Sequence, residues 1–397
     1  MTMRQKYQQF FTPKKYSQVI INLLSDFNPS KVIDLAMGEG SLLIEAKEHW
    51  DNAQYYGNDI DKKCCKKLIE NYSDIYTFNY DIFLNSSIGN IKNKIGSVDL
   101  CIGNPPFYKI KLDDEIRILL KEFDLENACH SDHISSEVPF ILQCLKILEK
   151  NGVLALILPD GFFTNNCLQY FREFMILNYH IKKVVELPSN IFEHTKAKTH
   201  IIILENKKPM DSIINLHEYN GKIIGIAKED AIRRMDYSYY KELDKNDDNS
   251  ITLEKFDIEL FRGKPKYKLE NVEQQYILHT TDFKVKKGLF KNRLKSIKKI
   301  QEYEDRIAQE NDIVLARVGS SCLGNIGIVG KGYFVVTDCI FVIRVEDDTL
   351  RKVVYRSLKS ELGQRWIKTH AKGVAARHIT LEEIAKFPIC RKAINGI

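Results

Sequence analysis

The 397-residue sequence contains no apolar run of the roughly 18 to 20 residues that a membrane-spanning helix needs. Its opening stretch, MTMRQKYQQFFTPKK, lacks the apolar core of a secretory signal. Cysteine pairing is equally ill served. The nine cysteines are odd in number, no two are spaced C-x-x-C, and several lie in apolar runs. Reduced structural thiols in a cytoplasm fit this pattern better than a disulfide framework or a zinc site. There is no internal repeat and no long low-complexity tract. Charge of one sign is also scarce overall, with a formal net charge of only +6. Its distribution says more: from Lys284 to Lys299 there are eight basic residues and no acidic one. Such a run is either a solvated face or a strip that contacts phosphates and gains affinity by releasing counterions.

What is present is a strand–helix alternation over the first 200 or so residues. The segments 31–36 (KVIDLA), 53–60, 75–82, 98–104, 153–159 (VLALILP), 181–188 and 199–205 (THIIILE) have the β-branched, apolar character of strands. Between several of them lie helical stretches at 41–50, 62–72 and 138–150. This predicts an α/β fold, a doubly wound parallel sheet with helices on both faces and with ligands at the carboxyl ends of its strands. After Lys207 the texture changes. The polar stretch 241–250 is the best linker candidate, followed by turn-rich strand-like segments over 311–345 and helices at 353–370 and 381–387. The expected domains are therefore 1–244 and 245–397.

The strand ends carry the chemistry. The first ends in Asp34-Leu-Ala-Met-Gly38-Glu-Gly40, where two glycines allow a tight turn and close approach to a ligand above a helix N-terminus. The second ends in Gly57-Asn-Asp59-Ile-Asp61, with an acid suited to both hydroxyls of a ribose. The third ends in Tyr80-Asp81-Ile82, where Asp81 suits an adenine amine. Singly, each acid is as easily a cap or a turn; three at successive strand ends suggest a nucleoside-containing cofactor. The fourth strand runs into Asn104-Pro105-Pro106-Phe107. The prolines fix φ and remove two donors, leaving rigid carbonyls. The Asn104 amide oxygen and the Pro105 carbonyl are suited to accept from one NH₂ group, and Phe107 to stack on a base.

With these motifs in this order, the chain resembles the gamma-class, amino-directed DNA methyltransferases, in their stand-alone and type I modification-subunit forms. Gln9-Phe10-Phe11-Thr12-Pro13 is similar to the family's N-terminal cofactor motif, and DLAMGEG to its glycine-rich loop, with Met37 where many members have Cys. NPPF is similar to the catalytic tetrapeptide in its adenine-specific form, and Pro159-Asp160-Gly161 follows the family's usual strand. Phe192 aligns with the aromatic on the far side of a flipped base. The resemblance implies a Rossmann-like methyltransferase fold that binds S-adenosyl-L-methionine through Thr12, Asp34, Ala36, Gly38, Gly40, Asp59, Ile60, Asp81, Ile82 and Pro106. It implies catalysis at the N6 amine of adenine by Asn104, Pro105, Phe107 and Phe192.

The segments NDIVLARVGS, VVTDCIFVIRV and TLEEIAKFPI resemble a specificity-subunit-like target-recognition domain, a second domain of mixed α+β type. Gln364-Arg365-Trp366 and Lys372 to His378 fall where relatives turn towards DNA. Double-stranded DNA is the expected partner, a cognate restriction enzyme and a monomeric or homodimeric state remain open, and no membrane role is expected. A restriction nuclease ahead of the cofactor motif is disfavoured, because eight residues precede Gln9. Protein-glutamine methyltransferases share the N-P-P-aromatic motif and RNA methyltransferases are nearer in chemistry, but the Phe192 segment and the resemblance to a DNA-reading domain weigh against both; an inactive DNA-binding relative is the alternative outside enzymes. His130-Ser-Asp-His133 has no adjacent general base, so it reads as a loop over the active site and no metal is expected.

Overall fold

The computed structural model describes residues 12–126, 131–188, 198–243, 250–283, 288–292, 300, 303, 306–319, 321–373 and 377–390. The chain forms two compact units, residues 1–237 and 238–397, which divide ahead of the polar stretch 241–250.

The first unit is built on one nine-stranded sheet. Its elements in chain order are α1 (Lys14–Asn22), β1 (Lys31–Asp34), α2 (Ser41–His49), β2 (Gln54–Asn58), α3 (Lys62–Asn71), β3 (Ile75–Phe78), α4 (Asn85–Ile95) and β4 (Val98–Gly103). A small hairpin, β5 (Lys109–Lys111) with β6 (His133–Ser135), encloses α5 (Asp114–Glu122). Then come α6 (Glu137–Ile147), β7 (Leu148–Pro159), α7 (Asp160–Thr164), α8 (Gln169–Asn178), β8 (His180–Glu186), β9 (Thr199–Glu205), β10 (Ile213–Glu218), β11 (Ile223–Ala227) and α9 (Lys228–Arg233). The strand order is β11-β10-β8-β9-β7-β4-β1-β2-β3.

The chain winds outward from β1 to β3 and then returns to place β4 beside β1, so the strand order reverses between β1 and β4. Crevices for ligands form at the carboxyl ends of strands at such a reversal. The sheet is mostly parallel, as expected, with two strands reversed. β9 is antiparallel to both β7 and β8, and β11 is antiparallel to β10. For β9 the reason is connectivity: β8 and β9 are neighbours both in sequence and in the sheet, an arrangement that antiparallel pairing suits. The continuous apolar runs of β7 and β9 match strands covered on both faces, with residues 152–159 and 199–204 all buried.

The second unit has a five-stranded sheet, a three-stranded sheet and a two-stranded ribbon in which Ser250–Thr252 pairs with Pro388–Cys390. The five-stranded sheet centres on Ile313–Ala316, flanked antiparallel by Ile326–Lys331 and Ile340–Arg344. Arg344 pins this sheet through a two-pronged contact with Asp312, at 3.0 and 2.8 Å. The stretch expected as one helix over 353–370 is two, Asp348–Lys359 and Glu361–His370. Ser360 separates them with extended backbone, and its hydroxyl caps the second by accepting from the Gly363 N–H at 3.0 Å. Among the described residues of both units, no helix is long and apolar enough to cross a membrane.

Candidate active site

The glycine loop after β1 is held by its neighbours. Gly38 and Gly40 have φ of 54° and 83°, a region that glycine enters without penalty, and Gly40 caps α2. The Asp59 carboxylate accepts from the Gly38 N–H and the Asp61 N–H, each at 2.8 Å, so the end of β2 holds the loop after β1. Asn58 was not singled out by sequence, yet it is the brace of this edge. Its side-chain NH₂ donates to the Leu35 and Tyr80 carbonyls at 3.1 Å each, and its oxygen accepts from the Tyr80 N–H at 3.0 Å. One buried amide thereby joins the ends of β1, β2 and β3. Beneath the loop, Gly57 makes room for Met37: a Cβ there would sit 2.1 Å from the Met37 sulfur.

These strand ends line a cleft of about 730 Å³, counted to its open mouth. Ala36, Gly38, Asp59, Ile60, Asp81 and Ile82 form its floor, and Asn104, Pro105 and Pro106 one wall. Leu35, Asn58, Tyr80, Phe83 and Tyr108 complete it, none of them proposed from sequence. Tyr80 and Phe83 flank the Asp81-Ile82 pair, so aromatics bracketing an acid beyond a strand end were the available signal. A smaller cavity of about 280 Å³ is lined by Thr12, Asp34, Met37, Ser41 and Leu42, and shares Ala36, Gly38 and Asn104 with the larger one. It abuts the first turn of α2, whose N–H groups have no partners within the helix. Gly40 lines neither cavity; its missing side chain accommodates Leu68.

Burial governs the acids. Asp34 is 1% exposed and Asp59 4%. Burial pushes the Asp34 carboxyl up to about 7, opposed by the N–H of Ala36 and reinforced by Asp59. Asp59 is also raised by burial, with the N–H groups of Asp61 and Gly38 pulling the other way. Asp81 is half-buried and accepts from the Phe83 N–H at 3.0 Å.

The turn after β4 is clamped from behind. The side-chain NH₂ of Asn104 donates to the Thr12 hydroxyl at 3.1 Å, which fixes the amide plane and assigns Oδ1 as its acceptor side. Ser136, wholly buried at the start of α6, donates its hydroxyl to the Pro106 carbonyl and accepts from the Tyr108 N–H at 3.2 Å. Its own N–H donates to the Tyr108 carbonyl at 2.9 Å. Ser136 thus holds both sides of residue 107, a role that no local motif announces because it lies 30 residues from Pro106. Phe107 is half-buried and is not among the residues lining either cavity. Gln9, Phe10, Phe11, Phe192 and His130 lie outside the described residues, and His133 opens strand β6 rather than a loop.

The chain is similar to known proteins. Over 223 residues the chain is 24% identical to the type I restriction enzyme MpnII methylase subunit of Mycoplasma pneumoniae, covering 50% of this chain and 40% of that one. Over 260 residues it is 25% identical to the type I restriction enzyme MjaVII methylase subunit of Methanocaldococcus jannaschii, covering 60% and 43%. The chain therefore spans less than half the length of these curated relatives. The solved structure of the type IIG restriction endonuclease BpuSI superposes with a TM-score of 0.51 at 15% identity, over 98% of this chain and 59% of that one, a likeness of fold. The family model described as N-6 DNA Methylase matches residues 2–267, well over half the sequence and all of the site just described, and the chain belongs to that family.

Proposed function

We propose that this chain transfers a methyl group from S-adenosylmethionine to the N6 amine of an adenine flipped out of double-stranded DNA. The observation that carries the reading is a single cleft at the β1/β4 reversal on which Asp59, Asp81 and the Asn104-Pro105-Pro106 turn all open. The residues present suit the cofactor. Acids at the ends of β2 and β3 suit ribose hydroxyls and an adenine amine. The first turn of α2, facing a cavity shared with Thr12, suits a carboxylate. The Thr12 hydroxyl accepts from Asn104 and still has its own proton to donate to that carboxylate. When bound, the cofactor supplies an electrophilic methyl on a positively charged sulfur.

The chain's own contribution is orientation. We assign Asn104 Oδ1 and the Pro105 carbonyl as the two acceptors for the N–H bonds of the target amine, which favours a tetrahedral nitrogen with its lone pair exposed. Thr12 and Ser136 keep that acceptor pair rigid. Holding reactants in line is worth about 7–11 kcal/mol at best, so no strong base is required. Extruding the adenine costs a few kcal/mol. Stacking on Phe107 and Phe192 offsets about 1–3 kcal/mol per base.

On the same reading, the second unit, with the boundary expected near residue 245, selects the DNA sequence. A restriction activity is the natural partner, since the relatives are named as methylase subunits of restriction enzymes. Purified chain with labelled S-adenosylmethionine is expected to label duplex DNA, and nuclease digestion to release N6-methyladenine. Label found only in N4-methylcytosine, RNA or protein glutamine overturns the assignment.

A further inference from the structure

The carboxyl edge of the sheet has a second polar assembly, in the half opposite the cofactor cleft, which the chemistry above does not use. Lys198, just before β9, is 14% exposed, and its ammonium lies 2.9 Å from Glu186, 3.6 Å from Asp160 and 3.9 Å from Asp236. Glu186 ends β8, Asp160 follows β7, and Asp236 lies at the close of the unit. Asp160 also meets the imidazole of His200, 0% exposed, at 3.1 Å and accepts from the Thr164 hydroxyl at 3.3 Å. Arg234 grips Asp236 with two prongs. The buried Arg172 ties the same segments, donating to the carbonyls of Phe162 and Asn165 and to those of Ile232 and Arg233. Burial pulls the Lys198 ammonium down in pKa, but the carboxylates of Glu186, Asp160 and Asp236 outweigh it and hold it above the usual lysine value.

Buried ion clusters rarely stabilise a fold more than apolar packing would, and their best-attested use is to specify one geometry. The geometry specified here is a neck. Glu186 and Lys198 stand at the two ends of the connection that carries residues 189–197, and the Leu187 N–H donates to the Thr199 carbonyl across it at 3.0 Å. The Asp160 N–H donates to the Lys198 carbonyl at 2.9 Å, which registers the neck against β7, the neighbour of β4 and its Asn104 turn.

We propose that Lys198 is a positioning residue for the target base: by pairing with Glu186 and Asp160 it holds both ends of the connection bearing Phe192 in register with the catalytic edge. The inference rests on the reading of Phe192 as an aromatic that receives a flipped adenine. Lys198 touches neither cofactor nor base in this role.

The test compares two duplexes that differ only in whether the target adenine is paired or mismatched, using the full chain and the site it methylates. Because both rates come from one preparation, their ratio is independent of how much protein is folded. In Lys198→Met the rate on the paired target is expected to fall about tenfold more than on the mismatched one, since extrusion is cheaper there, with the Kd for S-adenosylmethionine unchanged. Lys198→Arg is expected to restore most of the ratio. Glu186→Gln, which keeps Lys198 between Asp160 and Asp236 and is the gentler change, is expected to move the ratio in the same direction. A ratio unchanged from the parent in both Lys198→Met and Glu186→Gln overturns the proposal and leaves the cluster a structural brace. Failure of the parent chain to methylate any DNA overturns the reading beneath it, and the proposal with it.

Discussion

Inside each of the two units, the tight contacts are of different kinds. In the first, long strands buried on both faces surround a site made of side chains at strand ends, and tight spots are side chain against side chain. Gly57 accommodates Met37 and Gly40 accommodates Leu68. In the second, side-chain contacts such as that of Gly332 with Asn292 are joined by places where backbone lies against backbone. A Cβ on Gly263 would fall 2.1 Å from the Val336 carbonyl oxygen and 2.3 Å from that of Thr337, and one on Gly327 would fall 2.5 Å from the carbonyl of Gly288. A side chain can turn away from an intruding methyl and a carbonyl in a ladder cannot. The first unit should therefore tolerate change in its scaffold and be sensitive at a few polar atoms, and the second the reverse.

The sharpest break of that contrast is Asn104→Ala. Loss of one of two acceptors that orient the amine is expected to lower methyl transfer by about 10³-fold or more, that is, by about 4 kcal/mol of the roughly 7–11 kcal/mol that orientation can contribute. DNA retention in a binding assay should be unchanged. Weakened DNA binding equal to the loss of transfer would mean that Asn104 does not act on the amine.

Next in size are paired glycine substitutions. Gly263→Ala is expected to cost about 3 kcal/mol or more by overpacking against backbone, and no second change nearby should recover it. Gly57→Ala meets side chains alone, chiefly the Met37 thioether and, at 3.0 Å, Leu43, so adding Met37→Ala should recover most of the loss. Denaturant melts that follow each unit separately check this. Equal rescue in both units would erase the distinction.

A smaller effect follows from Asp34. Its pKa of about 7 in the fold exceeds the ordinary carboxylate value because burial disfavours the charge. Below about pH 4 the group is protonated in both folded and unfolded chains, and its contribution to stability is fully present. As pH rises towards 7 only the unfolded chain releases the proton, so stability falls across that window and levels off above it. Asp34→Asn should remove this slope, making the variant relatively more stable than the parent at pH 8 than at pH 5 by a few kcal/mol at most. Thermal melts of the cofactor-free chain at the two values measure it, and an unchanged slope would mean that Asp34 is ionised throughout.

The smallest effect concerns the basic run in the second unit. Lys291 is exposed at the end of the strand Leu289–Lys291, whose Phe290 is wholly buried, while Lys286, Lys287 and Arg293 lie outside the described residues. Neutralising all four should weaken binding to every DNA alike and flatten its salt dependence, by about 0.9 in slope for each phosphate that no longer meets a positive charge. The methylated sequence should not change, because phosphate contacts do not specify bases. A new methylated motif would move sequence reading into this strip.

The amino-acid sequence by itself determined seven of the sheet's nine strands and the acids and amide at their ends. Apolar runs such as THIIILE and strand-end motifs such as NPPF are local, and the period of burial writes them directly into the chain. It also marked most of the cleft floor, from Ala36 to Ile82. What only the tertiary structure decided is how those ends are held: β9 reversed between β7 and β8, Asn58 bracing three strand ends, Ser136 clamping the turn around residue 107, and Lys198 gathering three carboxylates. The last three are each one ordinary polar residue, most of whose partners lie tens of positions away. A single Asn, Ser or Lys leaves no periodic trace, and its importance comes from burial and from the atoms it meets, both of which exist only once the chain has folded.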